Sequence, residues 1–361
     1  MSGAAAEHQG RCRHFSPTLS VVHEWVTEAE GRVVVVLGAG ASVPGGLPVS
    51  RDLSDLVVAG IDQRSRAPEA WSFVRGRLDL ASKDVEQLYR SIGELSLVLD
   101  SPAWRPLVDV TPGVDAKALA DLQVDVLDWT TTILRTSSAN ANTTYLNPLV
   151  DANVLGIVTL NFDTLVERAA LERSAPVSTG VDHWDGGFHW PLAGAATPLL
   201  KLHGSLNWYQ ELRKVSPIPI GGYRTLTHDE EYRLGGGGIF SDLRFGAENK
   251  LTQAGAMPAL LEAFTDLLER SSLVIAVGYS FRDSHVDVAL DRWAALDDSR
   301  RLLVVDPRRV SDDLAGLETS GSDWFGHMIA GLRHDVGAGR PERVRVLAES
   351  AETAFSTLFT S

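Results

Sequence analysis

Only one cysteine, Cys12, occurs in 361 residues, which excludes an intrachain disulfide and any zinc centre built on several cysteines. Cations are also scarce, with 33 Lys and Arg against 47 Asp and Glu and a formal net charge of −14. A broad surface for a phosphate backbone needs clustered cations, so no direct, extensive nucleic-acid binding is expected. A nuclease is the least supported enzyme class, because no carboxylate cluster for metal ions is recognisable. No apolar run approaches the ~18 residues of a membrane span, and the opening MSGAAAEHQGRCRHFSP lacks the apolar core of a signal peptide. These absences lead to the expectation of a cytoplasmic protein, with residues 1–18 as a flexible tail.

What is present is ordinary globular material, 44% hydrophobic with a mean hydropathy of −0.02. Its focal stretch is 33–51, VVVVLGAGASVPGGLPVSR. Five apolar residues, Val33 to Leu37, are too few for a buried helix and suit a strand covered on both faces. Gly38 and Gly40 follow, where a sharp turn and close approach to the backbone call for residues without a Cβ. A helix beginning just beyond would aim its free N–H groups and positive dipole end at a phosphate. Gly-x-Gly alone is a weak signal, and the dinucleotide fingerprint wants a third glycine where this chain has Val43.

Strand character recurs at 154–160, 198–202, 273–278 and 301–306, the last of these being the final clear strand. Helical spacing occupies 19–30, 51–61, 84–99, 115–136, 259–270 and 285–296. The block 62–153 contains no clear buried strand and reads as a helical insertion between the first and second strands. Residues 206–250, rich in Gly, Pro and aromatics, read as an irregular excursion with room for hairpins. Alternating strands and helices imply an α/β fold. Its expected form is a doubly wound, Rossmann-like, mostly parallel sheet filling a single domain over 19–361, with ligands beyond the carboxyl ends of the strands.

Five strands end in turns that carry chemistry: Gly38-Ala39-Gly40-Ala41-Ser42, Asn161-Phe162-Asp163, His203-Gly204-Ser205, Gly278-Tyr279-Ser280 and Asp306-Pro307. Each has a plain explanation alone. Asn161 or Asp163 suits a helix N-cap, His203 a satisfied core histidine, Ser280 a turn, and Asp306 a strand stop before proline. Asp283 and His285 read as an N-cap and a surface histidine. His183, Asp185 and His189 lie in the aromatic loop DHWDGGFHW, but without the further ligands of a complete site no metal is expected there. Taken together, the turns put a glycine loop, an amide, a carboxylate and an imidazole at one sheet edge, where a nucleotide would lie.

In their order and spacing, Gly38-Ala39-Gly40-Ala41-Ser42, Gly46-Leu47-Pro48 with Arg51, Thr159-Leu160-Asn161-Phe162-Asp163-Thr164-Leu165, His203-Gly204 and Gly278-Tyr279-Ser280 resemble the motifs of the sirtuin superfamily. The resemblance implies NAD as substrate, cleaved at its nicotinamide–ribose bond. His203 would be the general base, and Asn161 would hold the water or a ribose hydroxyl. Asp163 would take the nicotinamide carboxamide, with Gly38, Ala39, Gly40 and Ser42 at the pyrophosphate. Gly278 and Ser280 would complete the nucleotide pocket, and Arg51 would help hold the loop or the phosphate. Asp306 stands where dinucleotide folds place an acid for the adenosine ribose.

The departures from sirtuin deacylases point in one direction. Those enzymes carry a two-pair cysteine zinc ribbon after the His-Gly motif, whereas 206–250 has no cysteine, so no zinc is expected. Val49-Ser50 stands where they have Asp-Phe, and Leu160 where they have Gln. The missing phenylalanine fits a site that admits water. Phe245-Gly246-Ala247-Glu248 does resemble their peptide-clamping strand. The pattern more closely resembles the sirtuin-like NAD hydrolases of bacterial antiphage defence than the deacylases, and this resemblance implies an NAD glycohydrolase acting as a toxic effector. Such an enzyme would form a homo-oligomer and answer to a partner such as a HerA-like ring ATPase. A zinc-independent NAD-dependent protein deacylase and a non-catalytic NAD or ADP-ribose-binding module remain the alternatives.

Overall fold

The computed structural model describes residues 17–80, 84–192, 194–213, 220–226, 241–243, 256–309, 323–337 and 342–360. Residues 1–16, and with them Cys12 and nearly all of the expected tail, lie outside these, as does the Phe245–Glu248 segment.

The chain begins with α1 (Pro17–Glu28) and enters β1 (Val33–Leu37), every residue of which is buried. Its side chains alternate between two cores. Val34 and Val36 pack on one side with Phe264, Trp293 and Phe325, while Val33, Val35 and Leu37 pack on the other with Trp25, Leu149 and Phe355. Period-two alternation with both faces apolar is the mark of a strand inside a doubly covered sheet. The main sheet adds β2 (Gly156–Thr159), β3 (Val177–Ser178), β4 (Thr197–Lys201), β8 (Leu273–Val277), β9 (Arg301–Val305) and β10 (Val344–Leu347). All its pairings are parallel, in the order β10-β9-β8-β1-β2-β4-β3. Helices α6 (Asn147–Val150), α7 (Leu165–Arg173) and α11 (Ala351–Phe359) join α1 on one face. The other face is covered by α8 (Met257–Arg270), α9 (Ser284–Leu296) and α10 (Asp323–Gly337). The fold is α/β and doubly wound, as the sequence leads one to expect.

Two points differ from the sequence reading. The strand at 301–306 is not the last, because β10 follows and pairs with β9. It is short, VRVL, and carries Arg345 beside Glu342, so no apolar run marks it. The excursion at 206–250 also contains order: β5 (Gly204–Arg213) pairs antiparallel with β6 (Ile220–Thr225) and β7 (Ser241–Leu243). Trp208 and Tyr223 from this small sheet stack into a cluster with Trp184 and Trp190, with ring centroids 5.6–6.2 Å apart.

Between β1 and β2 the described elements are helical. A 3-10 turn, Ala39–Gly45, follows β1 directly and is closed by Gly46 at φ +90°. Then come α2 (Ser50–Gln63), α3 (Pro68–Arg75), α4 (Val85–Asp100) and α5 (Ala116–Ala139). Asp84 and Asp115 cap the last two by accepting from the N–H groups of Gln87 and Ala118 at 2.8 and 2.7 Å. Leu88 and Ile92 of α4 meet Leu119, Leu122 and Val126 of α5 in a third core. That core takes in Phe162 and Leu206, so the helical block is seated on the turn that follows β2 and on the start of β5, the strand after β4.

Candidate active site at the sheet switch point

The strand order reverses beside β1, since β2 lies on one side of it and β8 on the other. In an open parallel sheet this switch point opens a crevice beyond the carboxyl ends of the strands, where ligands bind. The turns after β1 and β8 meet at its floor. The N–H groups of Gly38 and Gly40 donate to the carbonyls of Val277 and Gly278, both at 3.0 Å. A Cβ on Gly38 would lie 2.6 Å from the Gly278 carbonyl oxygen, and one on Gly40 would lie 2.7 Å from the Gly278 Cα. The room these glycines provide is therefore taken by the neighbouring turn, and two of the loop N–H groups expected at a phosphate are spent on the end of β8 and that turn.

Above this floor four expected site residues form one hydrogen-bonded group. The Asn161 amide donates to the Gly38 carbonyl and to Ser42 Oγ, both at 2.9 Å. Ser42 in turn donates to Asp163 Oδ2 at 2.7 Å. Because the Gly38 carbonyl can only accept, the amide nitrogen must face it, which leaves Asn161 Oδ1 as the acceptor on the side chain's other edge. Asp163 Oδ1 takes the Leu165 N–H at 3.1 Å. Both oxygens of this buried carboxylate are thus engaged within the protein, and a carboxamide contact would require exchanging one of them. Ser42, Asn161, Asp163 and Glu167 line a small cavity with Tyr145. The Tyr145 hydroxyl donates to the Ala41 carbonyl at 2.9 Å, and burial first, then the Asp163 charge, raises its pKa.

Sequence reasoning missed what holds this turn from below. Lys201 is fully buried, with Nζ donating to the Asp163 carbonyl and, at 2.9 Å, to Glu167 Oε1. A lone lysine at the end of an apolar strand gave no signal of this. Lys201→Met should cost about 3 kcal/mol, the low end for breaking a buried pair because Glu167 keeps some solvent contact. Thermal unfolding checks it.

His203 is 5% exposed and lies 6.1 Å, ring to ring, from Phe162, the neighbour of Asn161. Its Nε2 is 2.7 Å from Asp283 Oδ2, and its Nδ1 is 3.8 Å from Glu86 Oε1 on α4. Neither carboxylate was paired with His203 in the sequence reading, because both lie far from it along the chain. Asp283 is also the expected N-cap, its Oδ1 accepting from the His285 and Val286 N–H groups at 3.0 and 3.4 Å.

The remaining residues stand further apart. Arg51 is exposed in the first turn of α2, and Ser280 is exposed in the turn after β8. Asp306, at the end of β9, is buried and held by Arg308 at 2.9–3.0 Å, with Arg309 at 3.6 Å. Burial opposes its charged form, but the hydrogen bonds from Arg308 and the two arginine charges outweigh this and hold the carboxyl below its ordinary pKa. In the aromatic loop, His189 Nδ1 pairs with Glu262 at 3.0 Å. Among the described residues, no three His, Cys, Asp or Glu side chains are placed to hold a metal ion.

Fold and site together define a doubly wound α/β protein with an amide, a hydroxyl, a carboxylate and a buried imidazole at the switch point of its sheet. Residues 155–325, which include both Asn161 and His203, match the family model of the SIR2-like domain, and this supports placement in the sirtuin superfamily. No curated protein matches the chain. Among solved structures, a Sir2 homologue bearing three substitutions, in complex with 2′-O-acetyl ADP ribose, is 14% identical, with a TM-score of 0.45 over 94% of this chain and 93% of that one. A Sir2 homologue–NAD complex is also 14% identical, with a TM-score of 0.39 over 94% and 92%. Sir2Tm bound to a propionylated peptide is 15% identical, with a TM-score of 0.39 over 89% and 98%.

Proposed function

We propose that the chain is an NAD glycohydrolase, which converts NAD and water to nicotinamide, ADP-ribose and a proton. The observation that carries this reading is the SIR2-like match over 155–325, with Asn161 hydrogen-bonded to the Gly38 turn at the switch point. Nicotinamide leaves as a neutral molecule from a cationic ring, so the site needs no strong acid. It must fix the ribose, offset the positive charge that develops on it, and deliver water. With both amide protons engaged, Asn161 presents Oδ1 to the attacking water or a ribose hydroxyl, an orientation that also suits a developing cation. His203 accepts the proton, Asp163 with Ser42 faces the nicotinamide side, and the 38–42 turn, Gly278 and Ser280 face the diphosphate. Arg51 is assigned to the phosphate or the loop, and Asp306 to the adenosine ribose once Arg308 yields it.

The wider role follows from the resemblance to antiphage NAD hydrolases: a toxic effector, silent until assembled as a homo-oligomer or joined by a partner such as a HerA-like ring ATPase. The test incubates the purified chain with NAD, alone and with such a partner, and follows nicotinamide and ADP-ribose by chromatography. Equal release of the two supports hydrolysis. O-acyl-ADP-ribose, formed only with an acylated peptide, identifies a deacylase instead, and tight NAD binding without turnover in every assembly identifies a binding module.

A further inference from the structure

We propose that Asp283 is the positioning residue of His203, holding the imidazole with its proton on Nε2 so that Nδ1 is the working base. The proposal deepens the hydrolase reading and rests on it for its kinetic consequence, but not for its geometry.

The arrangement exceeds what a helix cap requires. Capping α9 occupies only Asp283 Oδ1, which takes two backbone N–H groups. The other oxygen reaches His203 Nε2 at 2.7 Å, and both side chains are about 95% buried (6% and 5% exposed). Their parent strands are not neighbours. Asp283 follows β8 and His203 follows β4, with β1 and β2 between them. At a strand spacing of ~4.8 Å this pair bridges roughly 14 Å of sheet, passing over the strand ends that carry Gly38 and Asn161. The turn that delivers Asp283 is shaped for the purpose. Gly278 and Phe281 both have left-handed backbone, at φ +61° and +56°, and the Phe281 ring is locked between Tyr279 and Phe325. The Tyr279 hydroxyl lies 3.3 Å from both the N–H and the carbonyl of Asp283, and donates to Asp287 Oδ1 at 2.7 Å. A non-glycine residue held at positive φ beside a site is a recognised sign that the turn serves the site.

Among the described residues, charged groups facing His203 are Asp283 at Nε2 and Glu86 of α4 at Nδ1. An ionised Asp283 only accepts, so the neutral imidazole must carry its proton on Nε2, and Nδ1 holds the lone pair. That lone pair faces another acceptor, Glu86 Oε1, at 3.8 Å. A donor such as water or a ribose hydroxyl placed against Nδ1 would satisfy both.

Asp283→Asn separates the two duties of this side chain. Asn caps a helix as well as Asp does, so with Oδ1 kept on α9 its NH2 group turns toward Nε2 and drives the proton to Nδ1. Two measurements decide the matter. In 15N NMR of the ring-labelled protein, wild type should show His203 protonated at Nε2 and the variant at Nδ1, with the melting temperature shifted by less than about 3 °C. In NAD cleavage, kcat should fall by about 10³-fold or more while KM stays within about threefold, the pattern expected when a base is held in the wrong tautomer. An unchanged tautomer, or a kcat within threefold of wild type in an active preparation, overturns the proposal. Should wild type cleave no NAD, the hydrolase reading fails while the NMR result still decides whether Asp283 sets the tautomer.

Discussion

His203→Ala is expected to reduce NAD cleavage by about 10²–10⁴-fold, the span typical of losing a positioned general base, while NAD affinity changes by no more than about threefold. The sites expected for the bulk of the dinucleotide, at 38–42 and at Asp306, lie on other strands. Binding and chemistry should therefore separate when affinity is measured by calorimetry and turnover by nicotinamide release. The substitution also strands Asp283 Oδ2, a buried acceptor, and an unpartnered group of this kind costs about 1–3 kcal/mol. A melting curve must accompany the kinetics, so that lost activity is scored on folded protein. Asn161→Ala should behave differently. It deletes a donor to the Gly38 carbonyl from across the crevice and one partner of Ser42, loosening the 38–42 turn along with the chemistry, so KM and kcat should both suffer. Wild-type turnover in His203→Ala would remove the imidazole from the mechanism.

The parts of this molecule that could be read without coordinates are those specified by neighbouring residues. Val33–Leu37, Leu273–Val277 and Arg301–Val305 appear as apolar runs because both their faces are covered. The helical insertion shows its 3.6-residue period, and Asp84 and Asp115 announce where α4 and α5 begin. β10 escaped because a four-residue strand at the sheet edge needs no apolar run. In the site, the residue types at the strand ends were legible, but their partners were not. Asp283 was visible as a cap, since capping is local, while its second oxygen serves a histidine 80 positions away. Glu86 looked like any exposed acid in the first turn of a helix until the helical block was seated on Phe162 and Leu206. Glycines 38 and 40 were read as space for a ligand, because sequence shows that a side chain is missing but not which neighbour fills the gap.

That filled gap gives the largest expected effect on stability. A Cβ on Gly278 would lie 2.4 Å from both the Ala41 nitrogen and the Gly40 carbonyl carbon, and the residue sits at φ +61°. Both contacts are backbone, so no side chain can swing away to make room. Gly278→Ala should cost about 1–2 kcal/mol for the left-handed conformation and about 1–3 kcal/mol for the overpacking. A loss of about 2–5 kcal/mol in total corresponds to a melting temperature roughly 3–7 °C lower for a chain of this size. Gly46→Ala isolates the first of these costs, because Gly46 has φ +90° but nothing within 4 Å of its Cβ position, and it should lose only about 1–2 kcal/mol. Relief of the Gly278→Ala clash requires the β1 turn to lift from the β8 turn, which carries the Gly38 carbonyl away from Asn161 and lengthens a bond now at 2.9 Å. The variant that remains folded should therefore cleave NAD less well than Gly46→Ala. If the two variants melt together and turn over alike, the two turns are not locked against each other, and the position of Asn161 must be set by some other contact.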